Sequence, residues 1–142
     1  MTSGTPDYFR TVRQNCGAAK SDADVTVVTA SGLTVLAHVE GKGMIYGGYM
    51  MLDHSSSQKD GVPILIVDDE IINALSFSDL IVNNLTRETA IALYLLKFDE
   101  IDFAYAVAIA RGITFDSNFS LTYNEVDGET PAVYHSVTYA LI

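Results

Sequence analysis

The 142-residue chain is short of several things: it has one cysteine, no tryptophan, three prolines and eight lysines and arginines together. A single thiol, Cys16, excludes an intrachain disulfide and suits a reducing compartment. No motif surrounds it, so its expected role is a small apolar filler. The shortage of cations, against 18 acids and a net charge of −10, disfavours direct contact with nucleic-acid phosphates. It disfavours an anionic membrane surface for the same reason. Segment 1–13 lacks an apolar signal-peptide core, and no apolar run approaches the length that spans a bilayer. A cytoplasmic location is the expectation. There is no G-x-S-x-G elbow, no P-loop and no G-x-G-x-x-G. No cofactor is expected.

Charged residues are only 18% of the chain, where about 25% is typical. Two readings follow: a surface partly covered by another copy or a partner, or a compact monomer with a Ser/Thr/Asn surface. The apolar fraction of 49% is ordinary. A chain of this length can bury about 70% of its unfolded surface, so it needs neither disulfide nor metal to hold a core.

Without repeats, low-complexity tracts or linkers, one domain over 1–142 is the economical reading, with 1–6 as a loose tail. Asp7 or Thr5 is placed to cap a short helix to about Ala19, with Tyr8, Phe9, Val12 and Cys16 as its apolar stripe. Segments 25–29 and 33–39 read as strands of a hairpin around Ser31-Gly32. Glycines 41, 43, 47 and 48 interrupt the next apolar islands, as in a strand broken by a glycine bulge. Segment 62–67 reads as a buried strand, and 80–82 as a short strand candidate.

Thr86 is a good N-cap, Glu88 lies in the first turn, Arg111 suits a last turn and Gly112 a C′ position. Between them apolar residues occur nearly all round, which predicts a buried helical segment over 86–111, split at Asp99. In the C-terminal third, Phe119, Leu121 and Tyr123 alternate with polar residues. Val133, His135, Val137, Tyr139 and Leu141 then alternate with Tyr134, Ser136, Thr138 and Ala140. The pattern predicts a C-terminal β-hairpin. The expected fold class is therefore α+β: an N-terminal helix, a mainly antiparallel sheet, the buried helical segment 86–111 and the C-terminal hairpin.

The strongest chemical features are two acidic trios, Asp68-Asp69-Glu70 after a predicted strand and Asp99-Glu100-Asp102 at a predicted helix start. Hard cations require several carboxylate oxygens from separate segments. If the trios meet, they could hold magnesium or calcium; if not, one ends a strand in solvent and the other caps a helix. His38, His54 and His135 show no zinc spacing. Gly41-Lys42-Gly43 with Gly47-Gly48 resembles a phosphate cradle only superficially, because no capped helix follows it.

The runs Asn73-Ala74-Leu75-Ser76-Phe77, Leu80-Ile81-Val82-Asn83 and Leu85-Thr86-Arg87-Glu88 resemble the strand pair and helix start of zinc metallopeptidases. The H-E-x-x-H position falls on Asp99-Glu100-Ile101-Asp102-Phe103. It keeps Glu100 and neither histidine, so the resemblance implies a relative without zinc and stays outside the reading adopted. Eight tyrosines, most of them in or beside apolar runs, add contact area of the kind enriched at interfaces.

The expected function is a non-enzymatic, acidic interaction or assembly module that associates with itself, for which a viral or phage origin would suit. One alternative is an acidic inhibitor or mimic that blocks a basic surface on another protein. The other is a carboxylate-based metal enzyme, which requires the trios to converge. The expected partners are a second copy of the chain or a protein with a basic surface.

Overall fold

A computed structural model describes residues 19–29 and 31–142. The strands are β1 (Lys20–Val27), β2 (Gly32–Glu40), β3 (Gly43–Asp53), β4 (Val62–Val67) and β5 (Glu70–Ala74), then β6 (Leu93–Asp99), β7 (Ala104–Ile109), β8 (Ile113–Phe115), β9 (Asn118–Glu125) and β10 (Ala132–Leu141). One short helix, α1 (Phe77–Val82), lies between β5 and β6. Sheet A runs β1-β10-β3-β7-β6, with β8 beside the first part of β3, and sheet B runs β2-β9-β4-β5. Every pairing is antiparallel.

The pairing is nested. β1 pairs with β10, β2 with β9, β3 with β7 and β4 with β5, as in one long hairpin rolled into two facing sheets. That is the jelly-roll topology, with β6 and β8 as additions to its eight strands.

Alternation along each strand builds the core. Met50 and Leu52 on β3, Val133 and Val137 on β10, and Tyr105 and Val107 on β7 face inward from sheet A. Phe119, Leu121 and Tyr123 on β9 meet them from sheet B, with Leu65 and Val67 on β4 beside them. Each fully buried Leu, Val or Phe contributes about 1.5–3 kcal/mol. Phe77 and Leu80 of α1 are also buried in this core, and the Phe77 ring sits 5.4 Å from that of Tyr105.

The expected α+β class is overturned: among the described residues the fold is nearly all β. The predicted N-terminal helix and Cys16 lie outside the described residues. The predicted buried helix 86–111 is instead a turn-rich segment followed by β6 and β7, which pair with each other around residues 100–103. The misreading has a physical cause. β7 lies between β3 and β6, and all its residues are buried, so no polar face marks it as a strand. Its period of two survives only in size: Tyr105, Val107 and Ile109 point inward, while Ala104, Ala106 and Ala108 point outward. Short apolar runs of this kind cannot be separated from helix by hydrophobicity alone.

Both predicted hairpins are also corrected. Their strands exist, but β1 lies in sheet A and β2 in sheet B, and β9 and β10 divide likewise. The inward row that alternation assigned to β10 is kept, yet it faces β9 across the core rather than lying beside it. Segment 80–82 lies in α1, where the Ser76 side chain accepts from the Asp79 N–H at 3.1 Å as an N-cap. The glycine-interrupted strand is β3, whose register against β10 shifts at Tyr46.

Candidate functional site

The acidic trios are structural links in separate turns. Asp68 and Asp69 form the two-residue connection between β4 and β5, both at positive φ (53° and 66°). A two-residue hairpin demands that backbone, and Asp tolerates it better than most residues. The Asp68 carboxylate accepts from the N–H groups of Asp116 (2.9 Å) and Ser117 (2.7 Å), from the Ser117 hydroxyl (3.1 Å) and from the Asn118 N–H (3.3 Å). Its pKa is held below the ordinary value, first by the Ser117 N–H and then by that of Asp116. Asp69 accepts from the Asn118 side-chain amide at 3.2 Å. The first trio therefore ties the β4–β5 turn to the β8–β9 connection.

The second trio organises the β6–β7 turn. Asp99 accepts from the N–H groups of Ile101 (2.9 Å) and Asp102 (3.0 Å), which lower its pKa, that of Asp102 most. The capping geometry expected of Asp99 is thus present, but it closes a turn between strands rather than starting a helix. Glu100 accepts from the Ser57 hydroxyl at 2.9 Å and from the Tyr105 hydroxyl. Burial, then the hydrogen bond to Glu100, raises the Tyr105 pKa.

Topology sets the trios at opposite ends of the sandwich. The β2–β3, β4–β5 and β8–β9 connections share one end, where the Gly41 N–H donates to the Ser117 carbonyl at 2.8 Å. The β3–β4, β6–β7 and β9–β10 connections share the other, where the His54 N–H donates to the Phe103 carbonyl at 3.3 Å. The length of β3 between these ends is roughly 30 Å at ~3.3 Å per residue. Among the described residues no group of three or more His, Cys, Asp or Glu side chains is placed to hold a metal. Of the other described acids, Glu40 and Asp116 lie at the first end and Asp53, Asp60, Asp127 and Glu129 at the second, while Asp22 and Asp24 lie along β1.

Each histidine has a carboxylate partner. His54 Nε2 lies 3.4 Å from Glu129. His135 is buried on the inner side of β10, with Nε2 2.9 Å from Asp22 and Nδ1 without a hydrogen bond. His38 stands between Ser120 Oγ, 2.5 Å from Nδ1, and Glu40 Oε1, 2.7 Å from Nε2. Sequence reasoning missed this hydroxyl–imidazole–carboxylate chain, because only the register that sets His38 opposite Ser120 creates it. It has the order of a nucleophilic triad. An oxyanion hole needs free donors beside the nucleophile. Ser120 lies on β9 between β2 and β4, so its backbone groups belong to the ladders. The chain of bonds lies on the outer side of sheet B and links two adjacent strands.

The distinctive surface is apolar. The outer side of sheet A carries Val25 and Val27 on β1, Tyr134 on β10, and Tyr49 and Met51 on β3, while the outward β7 alanines are themselves buried. Leu33 and Val35 on β2 are exposed on the outer side of sheet B, as is Ile71 on β5. An open groove between α1 and β6 is lined by Ile81, Thr86, Leu95, Leu96, Lys97 and Phe98. Among the described residues no helix is long and apolar enough to cross a membrane.

No protein-family model matches the chain, and no curated protein sequence matches it. Among solved structures, the complex of the Aeromonas sobria serine protease with its chaperone aligns at 9% identity and a TM-score of 0.41, over 88% of this chain and 28% of the other. The Aeromonas sobria serine protease alone aligns at 10% identity and a TM-score of 0.36, over 87% and 27%. The VP2 subviral particle of infectious bursal disease virus aligns at 12% identity and a TM-score of 0.31, over 88% and 40%. The chain thus spans less than half of each of these chains. At such TM-scores the likeness carries no argument about function.

Proposed function

We propose that this chain is a non-enzymatic assembly module that binds protein surfaces, and copies of itself first. The observation that supports the reading is the exposure of Val25, Val27, Leu33, Val35, Tyr49 and Ile71 on the outer sides of both sheets. Solvent-facing rows of an antiparallel sandwich are ordinarily polar. Exposed apolar side chains on both outer faces favour a surface that is covered by a partner. Jelly rolls serve as capsid, lectin and cupin domains, so topology alone does not choose among functions.

A metal-dependent use would need a donor cluster, and the two acidic trios stand at opposite ends. The division of acids between those ends also counts against a mimic that presents one acidic face. A viral or phage origin remains compatible with an assembly role.

Static light scattering tests the reading. The expected mass exceeds the 15.4 kDa of one chain and rises with concentration. A monodisperse mass of one chain at the highest soluble concentration would overturn it.

A further inference from the structure

We infer that Ser120 is an activated nucleophile, a site of stoichiometric acylation by neutral, activated esters or thioesters with an apolar acyl chain. The site stands apart from the assembly reading and does not depend on it.

The first argument is the place of the proton. A carboxylate only accepts, so Glu40 Oε1, 2.7 Å from His38 Nε2, sets the proton of the neutral imidazole on Nε2. Nδ1 then keeps its lone pair, and it lies 2.5 Å from Ser120 Oγ. The Ser120 hydroxyl donates to that nitrogen, which is the arrangement that activates a serine. Glu40 is a positioning residue. With 72% of its side chain exposed, it fixes the tautomer and the ring more than it lends charge. His38 and Glu40 are two residues apart on β2 and share its outer side, and the register sets Ser120 of β9 opposite His38. Paired strands hold such groups more firmly than a loop does.

The second argument is the surroundings. One row crosses the outer side of sheet B: His38 on β2, Ser120 on β9, Ile66 on β4 and Ile71 on β5. The base stands on one side of the hydroxyl. On the other is an apolar step of half-buried Ile66 and exposed Ile71. An apolar acyl chain on Ser120 leaves water by lying along that step. Glu40 and the net charge of −10 repel anionic donors and leave neutral ones.

The third argument sets the limit of the reaction. Ser120 Oγ bonds to the carbonyl carbon, and its proton passes to His38 Nδ1. The leaving group departs with the electron pair of the broken bond, and the imidazolium then releases its proton to solvent. The Ser120 N–H is held in the ladders, so no backbone donor there meets the tetrahedral oxyanion. A missing donor costs about 10²–10³ in rate, and a general base returns about 10²–10⁴. That balance admits donors with good leaving groups and rejects amides and alkyl esters. Acyl-serine is itself an alkyl ester, so its hydrolysis meets the same unaided oxyanion. The product is an acylated chain, with no turnover.

Incubation with p-nitrophenyl butyrate tests this, read by released p-nitrophenolate and by peptide mass mapping. The expected result is a single-turnover burst that leaves the butyryl group on Ser120. Ser120→Ala should abolish the burst, and His38→Gln should slow it by about a hundredfold or more. Glu40→Gln should slow it by at least about tenfold and shift the imidazole nitrogen resonances away from the Nε2–H tautomer. Butyrate should outpace acetate, in a ratio that Ile71→Ser lowers. A circular-dichroism melt verifies that each variant folds. A burst that persists in Ser120→Ala, or at full rate in His38→Gln, overturns the proposal. So does labelling of Ser120 no faster than that of the exposed Ser55.

Discussion

Tyr123→Phe removes one hydroxyl from the interior of sheet B. Tyr123 is fully buried on the inner side of β9, and its hydroxyl donates to Glu125 Oε1 at 2.9 Å. Glu125 is itself only 1% exposed. Its other oxygen accepts from the N–H groups of Asp127 (3.1 Å) and Glu129 (3.2 Å), which holds the start of the β9–β10 connection. The Tyr123 pKa is raised, by burial first and by the Glu125 charge second, so the hydroxyl remains a donor throughout the accessible pH range. Phe keeps the ring and its contacts, so the loss is the hydrogen bond to a buried charged acceptor. Such a bond is worth about 1.5–3 kcal/mol. For a chain of this size that is a fall in Tm of about 4–10 °C.

Gly61 provides an independent route to the same bond. A Cβ there would overlap the Tyr123 hydroxyl and ring edge, so Gly61→Ala displaces the ring from Glu125. Urea melts of Tyr123→Phe, Gly61→Ala and the double variant should therefore be non-additive, the double variant costing less than the sum. A loss under about 0.5 kcal/mol for Tyr123→Phe, or strict additivity, would refute the argument that one buried bond links these residues.

Acid stability should report Asp68. Its folded pKa lies below the unfolded value, so the ionised carboxylate stabilises the fold above about pH 4, and that contribution is lost as pH falls through the folded value. Asp68→Asn should destabilise at neutral pH and flatten the decline of Tm below about pH 4; parallel pH profiles for variant and wild type would contradict the assignment. Asp24→Val should free the Val25 N–H and make β1 an unprotected edge. Sedimentation should then show polydisperse association of higher order than the wild type's, and wild-type behaviour would show that Asp24 does not guard the edge.

Much of the local structure was legible in the sequence. Alternation in 133–141 set which side chains of β10 face the core, because a strand's period of two is written in its own residues. The apolar run of β4 and the glycine-broken β3 were legible for the same local reason. β6 and β7 were not. Small Ala and large Tyr or Val both count as apolar, and burial on both faces of β7 erased the polar signal that separates strand from helix.

What only tertiary structure decided is which strands are neighbours. Ser31-Gly32 and the alternating runs 119–123 and 133–141 each suggested a hairpin, yet both connections cross between sheets, and sequence adjacency carries no information about such a crossing. The same nested pairing brought Ser120 to His38, parted the two acidic trios to opposite ends, and gathered scattered Val, Tyr and Met residues onto the outer side of sheet A. Composition alone, through low charge, allowed a covered surface or a compact monomer with a Ser/Thr/Asn surface. Where the exposed apolar residues lie required the register, because side chains tens of residues apart share a face only once hydrogen-bonded ladders align them.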